Sequence, residues 1–357
     1  MRALIRWFRR QEAWVRRLFL LSSLLAIVGA VLVYIPTPYY ITAPGAAIDT
    51  SRLVSVEGGD KHRSRLYMLV VNTQPANLFW YLYARVDKRA VLETAREYLG
   101  PFETYTEYLD WNKKLMSDSQ RTARAIAFQQ LGYGQGVRSV GVRIMGIVED
   151  SPGRGLLKAG DVIVGLEGRP VTTVTELREL LGATPAGREV ALKLRREGQV
   201  LELKVPTYES RDPQRKGTAA LGISIDEELE FDDAAVPVKV RSGPIFGPSA
   251  GLMFTLQIID QLTPGGITGD LVVAGTGTIE PDGSVGGIGG VEQKVYTAEA
   301  AGARVIFVPR ENYPAAVRVA TRVEVVPVDT VRDALSWLRT HRKEEAGAAD
   351  SCPAFRT

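Results

Sequence analysis

The stretch GPSAGLMFTLQ, residues 247–257, places one serine between a Gly-Pro turn and a run of apolar residues. The apolar residues recur at the three- and four-residue intervals of one helix face, at Leu252, Met253, Leu256 and Ile259. Ser249 therefore falls at the amino end of a predicted helix, where unpaired N–H groups and the positive end of the helix dipole gather. Its side chain either caps this helix or acts as a nucleophile beside donors suited to an oxyanion.

A serine nucleophile needs a base within hydrogen-bond reach. The two histidines, His62 and His341, are far apart in sequence and flanked by basic residues, so a lysine is the better candidate. If residues 291–301 are helical, Lys294 shares a face with apolar residues only, and burial would lower its pKa enough for a general base. The alternative is a lysine whose stem covers apolar surface while its amine reaches water. Periodicity alone leaves both interpretations open.

The beginning of the chain predicts a membrane anchor. Residues 18–35 carry no charge, and a helix of this length spans roughly 27 Å, enough for a thin hydrocarbon core. Six of the arginines lie in residues 1–17, which places the amino terminus in the cytoplasm and the rest of the chain outside. A cleaved signal peptide is the main alternative, but no A-x-A site follows the apolar run. A buried core helix is disfavoured because both faces are apolar.

Composition excludes several classes of function. Without residues 1–17 the chain holds 38 basic and 40 acidic residues. It therefore lacks the excess of basic residues that a nucleic-acid-binding protein needs. Cys352 is the single cysteine, so no internal disulfide forms, and no cluster of histidine and cysteine predicts a metal site. We expect no cofactor. The sequence contains no G-x-x-x-x-G-K-[ST] motif that would cradle ATP phosphates.

Between the anchor and the serine, the patterns predict one incomplete and one compact region. Residues 66–73 indicate a strand, and residues 89–100 and 118–134 indicate helices, too few elements to enclose a core. Residues 136–207 predict a compact unit with a strand at 140–148, a helix at 173–183 and a hairpin that turns at Glu197-Gly198.

The compact region resembles the bacterial PDZ domain in the segment SPGRGLLKAGDVIVGLEGRPVTTVTELRELL. PDZ domains bind an extended peptide by strand addition. The resemblance implies a peptide groove that starts at Ser139, Val140, Gly141 and Val142 and continues to Ile147. A PDZ fold that serves only as a spacer remains the alternative.

The later region resembles the proteolytic domain of Lon proteases in three ordered motifs, GPSAG, GTGTIEPDGSVGGIGGVEQK and AGARVIFVP. The resemblance implies that Ser249 is the nucleophile, Lys294 the base and Thr276 a support for the lysine, with turn and oxyanion positions at Gly247, Pro248, Ala250 and Gly251. Lon proteases typically have an acidic residue where Phe246 stands here, so whatever that acid does is absent or supplied differently.

The order of these parts is similar to a membrane-anchored bacterial family of PDZ-containing Lon-like serine proteases. The resemblance implies an α+β fold in which the PDZ domain is inserted into the Lon-type domain. We expect a basic cytoplasmic segment (1–17), a transmembrane helix (18–35), the first part of the Lon-like domain (36–125), the PDZ domain (126–207), the Lon-type proteolytic domain (208–341) and a disordered tail (342–357).

The expected function is an ATP-independent serine endopeptidase in the cell membrane, acting outside the cytoplasm on unfolded or exposed protein segments. Its partners would be protein or peptide substrates and the lipid bilayer, with assembly into a homo-oligomer left open. The rival from another class is a non-enzymatic adaptor that recruits partners through the PDZ domain. A second rival keeps the enzyme and makes the PDZ domain a lid that a peptide opens.

Overall fold

The computed structural model describes residues 13–60, 65–102, 104–212, 215–233 and 236–350. Its helices are α1 (Ala13–Tyr34), α2 (Leu78–Val86), α3 (Ala95–Leu99), α4 (Tyr105–Leu131), α5 (Val174–Gly182), α6 (Gly251–Leu262), α7 (Val291–Ala300), α8 (Tyr313–Val319) and α9 (Val331–Asp350). Two short 3₁₀ helices cover Thr50–Arg52 and Arg310–Asn312. His62, most of the predicted cytoplasmic segment and residues 351–357 lie outside the described residues.

The strands are β1 (Pro36–Asp49), β2 (Val54–Val56), β3 (Leu66–Asn77), β4 (Val91–Thr94), β5 (Val137–Ile147), β6 (Val162–Leu166), β7 (Arg169–Pro170), β8 (Glu189–Arg196), β9 (Gln199–Pro206), β10 (Tyr208–Glu209), β11 (Ala219–Ala220), β12 (Ile223–Phe231), β13 (Val238–Val240), β14 (Val273–Gly275), β15 (Val305–Pro309) and β16 (Glu324–Val328). The predicted α+β fold class is confirmed.

The chain divides into two compact units. The first unit combines residues 1–130 with 236–357, and the second unit is 131–235. The second unit therefore interrupts the first one in sequence. Its limits differ from the predicted 126–207 at both ends. At the start, the long helix α4 continues to Leu131, so the second unit begins later than predicted. At the end, β12 pairs with β5 and belongs to the sheet of the second unit, so the unit extends past residue 207.

A six-stranded sheet forms the centre of the first unit, in the order β16-β15-β14-β3-β1-β4. β16, β15, β14 and β3 are parallel, whereas β1 runs antiparallel to both β3 and β4. β14 pairs with only the first three residues of β3, from Leu66 to Met68. β3 therefore extends past the end of β14, and its later residues face the region where the loops after β14 lie.

The predicted helix 89–100 is wrong in its first half. Val91 and Leu92 form part of β4 and pair with Thr42 and Ile41 of β1. Only after Thr94, whose side chain accepts a hydrogen bond from Glu97 N in a reciprocal capping box, does the chain become helical. Sheet pairing overrides the helical propensity of this segment. At the other end α9 continues to Asp350, so the tail predicted from residue 342 begins inside a helix.

The second unit encloses its own core beneath a sheet ordered β12-β5-β6-β8-β9. Its buried side chains come mainly from the inward faces of these strands and from Leu177 and Leu181 of α5. Thr173 caps α5 in a capping box with Glu176. The predicted hairpin is also present: Arg196 pairs with Gln199 across the turn at Glu197-Gly198.

Candidate active site

Ser249 lies in the loop that leads into α6, one residue before the helix cap. The N-cap position is Ala250, which makes no side-chain capping bond. The Ser249 side chain is turned elsewhere, since its Oγ lies 3.0 Å from Lys294 Nζ. The capping alternative for Ser249 therefore does not describe the structure.

Lys294 occupies the second turn of α7 and is only 3% exposed. Its Nζ contacts two hydroxyls, Ser249 Oγ at 3.0 Å and Thr276 Oγ1 at 2.9 Å. Burial removes the amine from water and lowers the pKa of Lys294 from 10.5 to about 7. The alternative of an amine that reaches solvent does not hold, because the whole side chain is enclosed. A large fraction of this amine is therefore neutral at neutral pH.

Thr276 connects the lysine to the backbone of the serine. It follows β14 directly, and its Oγ1 donates to Ser249 O at 3.1 Å while it accepts from Lys294 Nζ. Gly277 N donates to the same Ser249 carbonyl at 2.9 Å, and Leu252 N donates to Gly277 O at 3.2 Å. Three hydrogen bonds thus fasten the serine loop to the end of β14, which fixes the distance between Ser249 and Lys294.

The long helix α4 supports the serine loop from another side. Ser119 Oγ donates to Pro248 O at 3.1 Å, and Gly247 N donates to Asn112 O at 3.1 Å. Gly251 lies against α4 so closely that a Cβ there would sit 2.7 Å from Ser119 Oγ and 2.5 Å from Ile279 Cγ2. Sequence reasoning missed Ser119 and Asn112, because nothing in the helical pattern of α4 marks residues whose partners lie far away in sequence.

The hydrogen bonds reduce the number of predicted positions that can donate to an oxyanion. Gly247 N donates to Asn112 O, Gly251 N donates to Pro248 O at 3.1 Å, and Pro248 has no N–H group. Three of the four predicted positions therefore shape the turn rather than offer a donor. The remaining one is Ala250, adjacent to the serine.

A cleft of about 950 Å³ opens in front of Ser249 and Lys294. One wall is the part of β3 that extends beyond β14, residues 69–73. Another wall is aromatic and comprises Tyr98, Tyr105, Tyr108 and Phe246. Tyr98 is held in place by Tyr40 of β1, whose ring is stacked on it at 4.5 Å. The cleft therefore combines a strand segment with large apolar surfaces, which suits an extended polypeptide.

The residues of the predicted PDZ groove lie in a strand whose edges are already paired. Ser139, Val140, Gly141 and Val142 belong to β5, which pairs with β12 along one edge and with β6 along the other. Ser139 Oγ and Gly141 N both donate to Thr172 O, at 2.7 and 3.0 Å. A peptide cannot add as a strand to an edge that is already paired. The edge strands of this sheet are β12 and β9.

Among the described residues, no group of three or more histidine, cysteine, aspartate or glutamate side chains is arranged to hold a metal ion.

Comparison with known families identifies both regions. The family model of the Lon protease (S16) C-terminal proteolytic domain matches residues 216–340, and that of the PDZ domain matches residues 118–207. The chain joins a PDZ domain to a Lon-type proteolytic domain. The Lon match contains Ser249, Thr276 and Lys294, which the structure brings together.

Curated relatives agree with this assignment. Over 127 residues the chain is 34% identical to the Lon protease of Xanthomonas oryzae. The matched segment covers 34% of this chain and 14% of that protein. Over 92 residues it is 36% identical to Lon protease 2 of Bacillus subtilis, which covers 26% of this chain and 16% of the relative. The chain thus spans about a sixth or less of the length of these two relatives.

The PDZ domain of an SdrC-like protein from Listeria innocua is 25% identical to this chain, with 25% of this chain and 96% of that one covered. The TM-score is 0.23, so the PDZ assignment rests on the family match.

Proposed function

We propose that this protein is a membrane-anchored serine endopeptidase that works without ATP and uses Ser249 and Lys294 as a catalytic dyad. The observation that carries the proposal is the buried amine of Lys294, 3.0 Å from the hydroxyl of Ser249 and shifted toward the neutral form. A hydroxyl becomes an effective nucleophile when such a base takes its proton.

In the proposed reaction Ser249 Oγ attacks a peptide carbonyl carbon while Lys294 Nζ takes the hydroxyl proton. Lys294 then gives that proton to the leaving amine. This releases the fragment that follows the cut bond and leaves the fragment that precedes it as an ester on Ser249. Lys294 next takes a proton from water as the water oxygen attacks the ester carbon, and then gives that proton to Ser249 Oγ as the C–Oγ bond breaks and the acid is released. In this mechanism the N–H groups of Ser249 and Ala250, near the amino end of α6, would stabilise the oxyanion.

The proposed substrates are unfolded or exposed protein segments. The chain carries no P-loop motif with which to bind ATP, so it has no such means of unfolding a substrate. A segment that reaches Ser249 must be extended already, and residues 69–73 of β3 offer it a strand to pair with.

The proposed location is the cell membrane, with the two folded units outside the cytoplasm. Within the described residues, α1 is the one helix that is long and apolar enough to cross a membrane. The arginines that precede it favour a cytoplasmic amino terminus.

The proposed peptide site of the PDZ domain is the outer edge of β12, beside α5. β12 is a terminal strand of its sheet, and Glu227 Oε1 accepts a hydrogen bond from Val174 N of α5 at 3.3 Å, which places the two elements side by side. Strand addition requires an exposed sheet edge, and the outer edge of β12 is such an edge with α5 beside it. This site replaces the one predicted at residues 139–142.

The test uses the full chain in detergent with casein as an unstructured substrate and no ATP. We expect Ser249→Ala and Lys294→Ala to abolish nearly all cleavage, since the two residues act as a unit. Ser336→Ala and Lys239→Ala, at exposed positions of the first unit, serve as matched controls and should cleave normally. Cleavage that survives Ser249→Ala would refute the dyad.

A fluorophosphonate probe separates an idle site from a non-enzymatic adaptor. The unchanged chain should be labelled at Ser249, and Lys294→Ala should react far more slowly. An adaptor would show neither cleavage nor labelling.

Peptides with a free or an amidated carboxyl terminus test the PDZ domain. Competition of a peptide with casein would indicate recruitment, and activation of casein cleavage would indicate a lid. No effect of either peptide would refute a peptide-binding role.

A further inference from the structure

The short helix α2 is joined directly to the end of the membrane-spanning helix. Leu78 N, the first residue of α2, donates to Ile35 O at 2.9 Å, and Asn77 Nδ2 donates to Val33 O at 3.0 Å. Asn77 also caps α2, because its side chain accepts from Trp80 N. One asparagine therefore ties the start of α2 to the last turn of α1.

The inner face of α2 is packed. Trp80 and Ala84, one turn apart, contact a core cluster formed by Ile41, Ala76 and Ala90. The ring of Tyr81 lies 5.3 Å from that of Tyr39, in the first part of β1. These contacts fix the orientation of the helix on the first unit.

The outer face of α2 is apolar and uncovered. It presents Phe79, Leu82, Tyr83 and Val86, which are 43%, 47%, 37% and 84% exposed. Single exposed apolar residues are common, but these four follow the i, i+3, i+4, i+7 spacing of one helix face. A continuous patch of this kind marks a contact with another apolar phase or molecule.

Basic residues border this patch. Arg85 is exposed and lies over the ring of Tyr81 at 5.1 Å, and Lys88 and Arg89 follow the helix. The nearby acid, Asp87, is paired with Arg89 at 2.8 Å. An apolar helix face bordered by arginine and lysine is the pattern of helices that lie in a lipid interface.

We propose that α2 lies in the outer interface of the bilayer, with Phe79, Leu82, Tyr83 and Val86 inserted at the boundary between headgroups and acyl chains. This inference rests on the proposed crossing of the membrane by α1. Lipid is the occupant because the patch begins at Phe79, one residue after Leu78, whose N–H is hydrogen-bonded to Ile35 at the end of the apolar span, so the patch is held at the depth where hydrocarbon meets headgroups. Tyrosine and tryptophan prefer that depth.

A second membrane contact has a consequence for the cleft. Thr42 lines the cleft and lies six residues along β1 from Pro36, just after the span. At about 3.3 Å per residue this strand keeps Thr42, in the wall of the cleft, within ~20 Å of the end of the span. With α2 in the interface the first unit cannot swing away, so the cleft would stay near the lipid and favour segments of membrane-bound proteins.

The test places one fluorophore at a time on the full chain in nanodiscs of phosphatidylcholine and phosphatidylglycerol. Cys352→Ser removes the single cysteine, and a cysteine then replaces Val86 in α2, Leu25 in α1 or Arg322. Arg322 is exposed and precedes β16, at the opposite edge of the sheet. Lipids brominated near the headgroup quench fluorophores that contact the upper acyl chains, and lipids brominated near the chain ends quench fluorophores at the middle of the bilayer, where Leu25 of the candidate span is expected.

We expect bromolipids to quench the probe at Val86 at least twofold, to quench that at Leu25 and to leave that at Arg322 unchanged. Adding Phe79→Glu and Leu82→Glu should abolish quenching at Val86 and leave casein cleavage unchanged. If Leu25 is quenched and Val86 stays in water, the α2 inference is wrong and the anchor stands. If Leu25 is not quenched, the anchor itself fails. A blue-shifted but unquenched Val86 probe would indicate a protein neighbour, such as a second copy, and would also overturn the inference.

Discussion

Replacing the buried lysine by methionine changes how the stability of the protein depends on pH. Lys294 titrates at about 7 in the folded protein, whereas an unfolded lysine titrates near 10.4. Between these values the unfolded chain binds one more proton than the folded chain. The free energy of unfolding of the unchanged protein therefore rises with pH across this window, and the cost of burying the amine is fully present below pH 7.

The magnitude follows from the size of the shift. Each pH unit inside the window is worth about 1.4 kcal/mol for one proton. Between pH 7 and 9.5 the unchanged protein should thus gain about 3 kcal/mol relative to Lys294→Met, which has no group to titrate at this position. At about 2–4 °C per kcal/mol for a unit of this size, the difference in Tm should change by roughly 6–12 °C.

Thermal unfolding followed by intrinsic fluorescence at several pH values provides the measurement. The difference in Tm between the unchanged protein and Lys294→Met removes the contribution of all other groups. Lys239→Met, at an exposed position, is the matched control and should give a difference that does not vary with pH. A flat difference for Lys294→Met as well would mean that the amine keeps an ordinary pKa, and the argument for a neutral base would fail.

Four further predictions concern activity and folding. Casein cleavage should rise about tenfold from pH 6 to pH 8 as Lys294 loses its proton; an increase only above pH 9 would contradict this. Thr276→Val should lower kcat roughly tenfold and move the midpoint of the pH profile downward, because the hydroxyl accepts from the lysine, and Thr276→Ser should restore both. Gly251→Ala should cost about 1–3 kcal/mol of stability and most of the activity, since its Cβ would overlap Ser119 and Ile279; normal activity would refute this role. A fragment of residues 216–357 should fail to fold by circular dichroism although it holds all three proposed catalytic residues.

Local patterns in the sequence predicted the elements that carry the proposed catalytic residues. The apolar spacing after Ser249 and around Lys294 corresponds to α6 and α7, whereas the pattern left open whether the Lys294 amine is buried, which the structure shows. These predictions succeed because the helical period is a local property and the burial of a face follows from it. The role of Thr276 came from the family resemblance, and the structure places its hydroxyl against the amine.

The features that the sequence did not reveal depend on pairing between distant segments. The segment 89–100 has helical composition, but β1 recruits its first half as β4. The PDZ groove was assigned to β5 because that strand precedes the recognisable motif, whereas β12, which follows the motif, covers its edge. Strand neighbours are a property of the whole sheet, so no window of sequence around residue 140 could indicate which edge stays open.

The order of segments along the chain explains how the proposed catalytic site depends on both sides of the inserted unit. Ser249, Thr276 and Lys294 all come after residues 131–235, but their supports come before that unit. β3 supplies the neighbour on which β14 is aligned and one wall of the cleft, and α4 holds the serine loop through Ser119 and Asn112. An amine that loses the solvation of water stays buried only if the surrounding structure is rigid and complete. The neutral lysine is therefore a property of the whole first unit, and the segment before the PDZ domain is as necessary to the proposed chemistry as the segment that carries the motifs.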